Sequence, residues 1–141
     1  MPNANSIRGE YVPKREPRVI FGQNSLEQLR SEVGSIGGGK VLLLTGQTLA
    51  NKTDTPKKIR DLLGHTCVAM YSGMTQRTPL PAVVEAASVG IRNGVDTVIS
   101  LGGTSVSDGA KMVAVMIAAG IVDGERLKKY TDSVSRDELR S

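Results

Sequence analysis

The chain has 141 residues, 39% of them hydrophobic, which suffices for one ordinary core but hardly for two, so a single domain is expected. Its formal charge of +4 is compatible with anionic ligands, yet Lys and Arg are scattered among Asp and Glu along most of the sequence, the pattern of a solvated surface. One Phe, three Tyr and no Trp leave few platforms for stacking bases, and no segment approaches the roughly 20 apolar residues of a membrane span, so neither nucleic acid nor a membrane is an expected partner.

Residues 1–17 carry Pro2, Pro13 and Pro17 among polar residues and no apolar leader segment, predicting a flexible or extended arm, with order beginning near Arg18. RVIF, at 18–21, is β-rich. Ser25 and Gln28 have the spacing of a capping box, predicting a helix that carries Leu26, Leu29 and Val33 and is stopped by Gly34 and the glycine run at 37–39. KVLLLT, at 40–45, is a continuous apolar run, expected of a strand buried on both faces of a parallel sheet. TPKKIRDLL then reads as a helix with Thr55 as N-cap and Pro56 at its first position. HTCVAMY, at 65–71, is a further strand, and the stretch at 79–94 sets Val83, Val84, Ala87 and Ile91 at helical spacing before Asn93-Gly94 ends it. DTVISL, at 96–101, makes a fourth strand, and VSDGAKMVAVMIAAG, at 106–120, the helix after it.

This alternation predicts an α/β fold with an open, doubly wound, mostly parallel sheet over residues 18–122, followed by a short helix and charged tail at 123–141. In such sheets ligands lie beyond the carboxyl ends of the strands, where the turn at 102–105 falls. Glycine there lets backbone amides approach a ligand, and the helix that follows offers unpaired N–H groups to a phosphate. Thr104 and Ser105 could add hydroxyl donors, and Asp108, one turn later, could accept from a sugar hydroxyl. The same residues also fit a plain tight turn, with Ser105 capping the helix and Asp108 stabilising its positive end.

Other motifs fail on inspection. GSIGGGK, at 34–40, has P-loop spacing, but Val41 replaces the required hydroxyl residue and the stretch precedes a strand instead of following one. GTSVS, at 103–107, approaches a nucleophile elbow, but Ser107 stands where its last glycine belongs and no His follows. His65, the single histidine, reads as a loop or surface residue, and the dinucleotide fingerprint GxGxxG is absent. Cys67 is alone, which excludes an intramolecular disulfide and a CxxC metal site and fits a small core residue in a reducing cytoplasmic compartment.

The assembled residues resemble the iron-dependent (group III) alcohol dehydrogenase family, which includes glycerol dehydrogenases and maleylacetate reductases. The resemblance covers about residues 17–120 and rests on PRVIFGQNSLEQL at 17–29, on Tyr71, Ser72 and Gly73 with the Pro-containing segment after them, and on GGTSVSDGAK at 102–111 against the family's GGGSxxDxAK. It implies a Rossmann-like domain whose glycine turn holds the pyrophosphate of NAD or NADP through Gly102, Gly103, Thr104 and Ser105, with Asp108 near the nicotinamide side. Thr104 departs from the third glycine and narrows the approach. Many members place an Asp after the second strand to bind the adenosine ribose; Gly46 stands here, so NADP is as compatible as NAD, with Thr45, Gln47 and Thr48 offering neutral hydrogen bonds. SGMTQRTPLPAVVEA, with its Thr78-Pro79 pair, resembles the maleylacetate reductase branch more than the alcohol dehydrogenases with Pro-Asn-Pro-Thr, and Arg77 beside that pair reads either as a site for a carboxylate or phosphate or as a solvated loop residue.

The family continues into a Pro-Thr-Thr and Gly-Thr-Gly-Ser-Glu stretch and a helical domain whose Asp and His residues hold iron or zinc. The sequence lacks both, so the resemblance implies the NAD(P)-binding portion of a cytoplasmic oxidoreductase, a truncated or split gene product that is inactive alone, with iron or zinc expected only in a complete member. The partners implied are a nicotinamide dinucleotide and either a separate C-terminal metal-binding domain or further copies of the chain. A non-enzymatic, stand-alone α/β module that binds a partner protein is the alternative.

Overall fold

The computed structural model describes residues 20–126; the expected arm at 1–17 lies outside the described residues, as does the expected short helix and tail at 123–141 beyond its first four residues, of which 124–126 are helical. Strands β1 (Val41–Thr45), β2 (Cys67–Tyr71) and β3 (Thr97–Leu101) form a parallel sheet in the order β2-β1-β3. Helices α1 (Leu29–Ser35), α2 (Gln47–Lys52), α3 (Thr55–Leu63), α4 (Leu80–Arg92) and α5 (Thr104–Ala119) complete the described elements, together with short 3-10 turns at Ser25–Gln28 and Gly64–Thr66.

The apolar run of β1 explains its central place. With a neighbour on each edge its backbone is paired on both sides, and all five of its residues are fully buried. Alternation sends Leu42 and Leu44 to one face, against Val83 of α4 and Val113 and Met116 of α5, and Val41 and Leu43 to the other, against Val33 of α1 and Ile59 and Leu63 of α3. Each of these leucines withdraws side-chain surface worth about 2–3 kcal/mol, so both layers are anchored on one strand. Small residues bring α4 and α5 together: Ala82, Ala86 and Ala87 are buried, and a Cβ on Gly90 would lie 2.5 Å from Cδ1 of Ile117. The doubly wound α/β architecture read from the alternation is present.

Helix ends follow local chemistry. Gly94 (φ 64) and Gly120 (φ 66) take the left-handed conformation, and Val95 N–H donates to Gly90 C=O while Ile121 N–H donates to Met116 C=O, closing α4 and α5. Gly37 (φ 75) ends α1 similarly, whereas Gly34, expected to stop the helix, lies inside it.

Four expectations need correction. Ile20 and Phe21 of the β-rich run are not in a strand, and Phe21 is 88% exposed; no described strand lies beside them to take their hydrogen bonds, and β propensity alone does not make sheet, while Arg18 and Val19 lie outside the described residues. DTVISL therefore supplies the third described strand and not the fourth. The capping box does not form. Asn24 sits in the left-handed region (φ 61), Ser25 is already inside the 3-10 turn, and no side chain caps either that turn or α1. Asp54, and not Thr55, is the N-cap of α3, which moves Pro56 to the second helical position, where its missing N–H costs no intrahelical bond.

Candidate functional site

Topology creates a crevice. From β1 the chain passes through α2 to α3, on the face of Val41 and Leu43; from β3 it enters α5, on the face of Leu42 and Leu44. These two strands are neighbours in parallel register, with Thr45 opposite Leu101, so their carboxyl ends part toward opposite faces. That divergence is the switch point at which open α/β sheets bind ligands. A cleft of about 730 Å³ lies there, walled by residues 46–48 after β1, 74–77 between β2 and α4, and 103–106 at the start of α5.

The two glycines after β3 differ in kind. Gly102 has φ 142, and a Cβ on it would meet Cγ2 of Val106 at 3.0 Å, so the fold itself demands glycine. Gly103 has φ −85 and nothing within 4 Å of the Cβ position among the described residues, so no described neighbour accounts for its missing side chain. Gly103 is the N-cap of α5 and no side chain caps the helix; the first hydrogen bond into it runs from Ser107 N–H to Gly103 C=O at 3.1 Å. The amides of Thr104, Ser105 and Val106 are therefore without intrahelical partners. Ser105, considered as the cap, is the second residue of the helix, too far along to bond those amides as an N-cap does.

The 74–78 loop is fastened over this turn. Thr78 Oγ1 donates to Ser105 C=O at 2.9 Å, and a Cβ on Gly109 would strike Sδ of Met74 at 2.7 Å and Cγ2 of Thr78 at 3.1 Å, so the bare backbone of α5 admits the loop. Arg77 (φ 66) and Thr78 (φ 49) both hold the left-handed conformation, which costs a non-glycine residue about 1 kcal/mol or more. The loop also meets the end of β1, where a Cβ on Gly46 would lie 3.2 Å from Met74 C=O. Among the described residues Arg77 is the one charged residue lining the cleft, and no carboxylate lines it.

Of the residues singled out from the sequence, Gly46, Gly103, Thr104 and Ser105 line the cleft, as do Gln47, Thr48 and Arg77. Gly102, Thr45, Pro79 and Asp108 are set back from it. Thr45 is wholly buried with its Oγ1 unpartnered among the described residues, Pro79 is the N-cap of α4, and Asp108 is exposed, 3.8 Å from Lys111 Nζ. Sequence reasoning missed Met74, Thr75, Gln76 and Val106 as lining residues and Gly109 as the seat of the loop. The rule that drew attention to the end of β3 applies equally to the end of β2, where MTQRT begins.

The rejected P-loop spacing is closed at the opposite end of the sheet. Gly39 N–H donates to both carboxylate oxygens of Asp96 at 3.2 Å, and Lys40 N–H donates to Oδ1 at 3.1 Å. The Lys40 amide, with the Thr97 hydroxyl at 2.9 Å, holds the Asp96 carboxyl below the usual carboxylate range. His65 is exposed in a 3-10 turn, and Cys67 is half-buried, its thiol pushed up by burial. Among the described residues no group of three or more His, Cys, Asp or Glu could hold a metal ion, and no helix is long and apolar enough to cross a membrane.

The sequence model for iron-containing alcohol dehydrogenases matches residues 16–138. The chain is 37% identical to maleylacetate reductase 1 of Rhodococcus opacus over 107 residues, 74% of this chain and 29% of that protein. Against the maleylacetate reductase of Pseudomonas aeruginosa the identity is 32% over 109 residues, 77% of this chain and 30% of that one. Among solved structures, NADH-dependent butanol dehydrogenase A of Thermotoga maritima superposes with a TM-score of 0.64 at 30% identity, covering 74% of this chain and 27% of the dehydrogenase. Maleylacetate reductase of Agrobacterium tumefaciens shares the fold, with a TM-score of 0.64 at 23% identity over 77% of this chain and 30% of that one. The chain thus spans about 30% of the length of the curated relatives it matches.

Proposed function

The chain belongs to the iron-containing alcohol dehydrogenase family, and from that premise we propose that its cleft binds NAD or NADP as the nucleotide-binding part of an oxidoreductase. In this reading the diphosphate lies on the amides that open α5, at Gly103, Thr104 and Ser105, while Gly102 gives the turn its shape. Gly46, Gln47 and Thr48, at the end of the neighbouring strand, face the adenosine half. Thr45 and Pro79 support those walls from behind, and Asp108 stands one turn along α5. The dinucleotide supplies the hydride chemistry, between nicotinamide and an alcohol or carbonyl group; the domain binds and orients it.

The observation that carries the reading is Gly103. Its conformation suits any residue and its Cβ position is empty, yet it stands at the switch-point crevice beside three amides without intrahelical partners. A diphosphate lying against the backbone accounts for that bareness. The described residues do not fit a metal ion, so none of the steps given to this domain passes through one.

Titration calorimetry with NAD and NADP tests the assignment. Gly103→Val should weaken both by about tenfold or more, because its side chain would project into the space the diphosphate needs and the amides there are worth a charge-assisted hydrogen bond or more. Its melting temperature should fall only by the few degrees that exchanging a glycine N-cap for valine costs. Equal heats from the two proteins would remove the turn from the site, and absence of heat from the native chain would remove the function.

A further inference from the structure

Building on the nucleotide reading above, we infer that Arg77 makes the cleft selective for a dinucleotide bearing a 2′-phosphate on its adenosine ribose, that is, for NADP over NAD. Three observations converge on this residue. Among the described residues it is the one charged side chain lining the cleft, with no Asp or Glu beside it there. It is exposed and makes no hydrogen bond or ion pair among the described residues, so its guanidinium is available to a ligand. And its backbone is held in the left-handed region at φ 66, in a loop pinned by the bond from Thr78 Oγ1 to Ser105 C=O and pressed against the end of β1 at Gly46.

The placement distinguishes ribose from nicotinamide. A dinucleotide whose diphosphate rests on the turn after one strand lays its adenosine ribose over the end of the adjacent parallel strand, where an acidic residue reads an unmodified 2′-hydroxyl and an arginine nearby accepts a 2′-phosphate. Here the adjacent strand is β1, and the residues that follow it are Gly46, Gln47 and Thr48, all neutral. The 74–77 loop comes from β2, on the far side of β1 from β3, and its Met74 carbonyl lies against Gly46. Arg77 therefore stands on the ribose side of the cleft. A planar guanidinium with several donors matches a phosphate dianion, while a hydroxyl at the same place gains little from it.

The test is calorimetric titration of the full chain with NADPH and NADH at one low salt concentration, on the native protein, Arg77→Gln and Arg77→Lys. The native chain should bind NADPH about tenfold more tightly than NADH, the difference expected of one partly screened charge-assisted contact. Arg77→Gln should erase that preference by weakening NADPH while leaving NADH within about twofold, and Arg77→Lys should retain part of it. In competition against NADPH, 2′,5′-ADP should outperform 3′,5′-ADP, which separates a ribose 2′-phosphate from any second phosphate. Equal native affinities for the two cofactors, or an Arg77→Gln variant that weakens both by the same factor, would overturn the inference and leave the nucleotide reading standing. Failure of the native chain to bind either cofactor would overturn both. A melting temperature for Arg77→Gln close to native is the check that the loop remains in place.

Discussion

Two glycine-rich turns stand at opposite ends of one sheet, and the chain treats their amides in opposite ways. At the amino end, the glycines before β1 present the N–H groups of Gly39 and Lys40, and the Asp96 carboxylate accepts from both. At the carboxyl end, the glycines after β3 lead into a helix whose first amides no side chain caps. The amino-end turn has the spacing of a phosphate loop and holds an anion already, one that is covalently part of the protein. Glycine count and spacing thus do not identify a phosphate site; what matters is whether the exposed donors are satisfied from within. A carboxylate from β3's own entry turn closes one end, and topology opens the other, because β1 and β3 send their connections to different faces.

The sharpest way to break this comparison is at Gly102. Its φ of 142 and the 3.0 Å approach to Val106 mean that Gly102→Val adds backbone strain and crowding together, for a loss of about 3 kcal/mol measured by urea denaturation. Gly103→Val, one residue away, should cost only about 1 kcal/mol, that of losing a glycine N-cap, and should affect the nucleotide. If both variants unfold the chain equally, the division between a glycine the fold requires and one the ligand requires is wrong.

Much of this was legible in the sequence because the driving force is local or periodic. The four apolar residues of β1, closed by Thr45, could only be a doubly covered strand, and the small and apolar residues of α4 recur at helical spacing. What failed were features settled by partners elsewhere in the chain. RVIF has strand propensity, but Ile20 and Phe21 have no strand to pair with among the described residues. Ser25 and Gln28 have the spacing of a cap, but the left-handed turn at Asn24 starts a 3-10 turn before the cap geometry can form. At the site, the glycine turn was visible because glycine carries its conformational freedom in its identity, whereas Met74, Thr75 and Gln76 reach the cleft only because Gly109 lets their loop settle on α5. Nothing in the run MTQ by itself signals that.

A smaller effect should come from the buried hydroxyl beneath the carboxyl end. Thr45 is fully buried and its Oγ1 has no partner among the described residues, while its β-branched shape suits the strand. Thr45→Val preserves that shape and removes the unsatisfied group, so it should stabilise the chain by about 1 kcal/mol in urea denaturation. A loss of stability would mean that the hydroxyl has a partner, and that this end of the sheet is more fully satisfied than the contrast with Asp96 requires.

The mildest change is expected at the amino end, where solvent screens the carboxylate. Asp96→Ala strips the acceptor from the amides of Gly39 and Lys40 and should lower the melting temperature modestly at neutral pH without altering nucleotide affinity. The pH dependence fixes its origin. Because the folded carboxyl titrates below its ordinary range, the native chain binds fewer protons at this group than the unfolded chain does around pH 4, and its contribution is fully present above that pH. It is lost as the pH falls through the folded value. The difference in melting temperature between native and variant should therefore be constant from neutral pH down to about pH 5 and shrink as the solution becomes more acidic. A difference that persisted unchanged at pH 2 would show that the side chain acts there by packing and not by its charge. The amino-end turn would then be glycine-rich for reasons unrelated to the anion it holds.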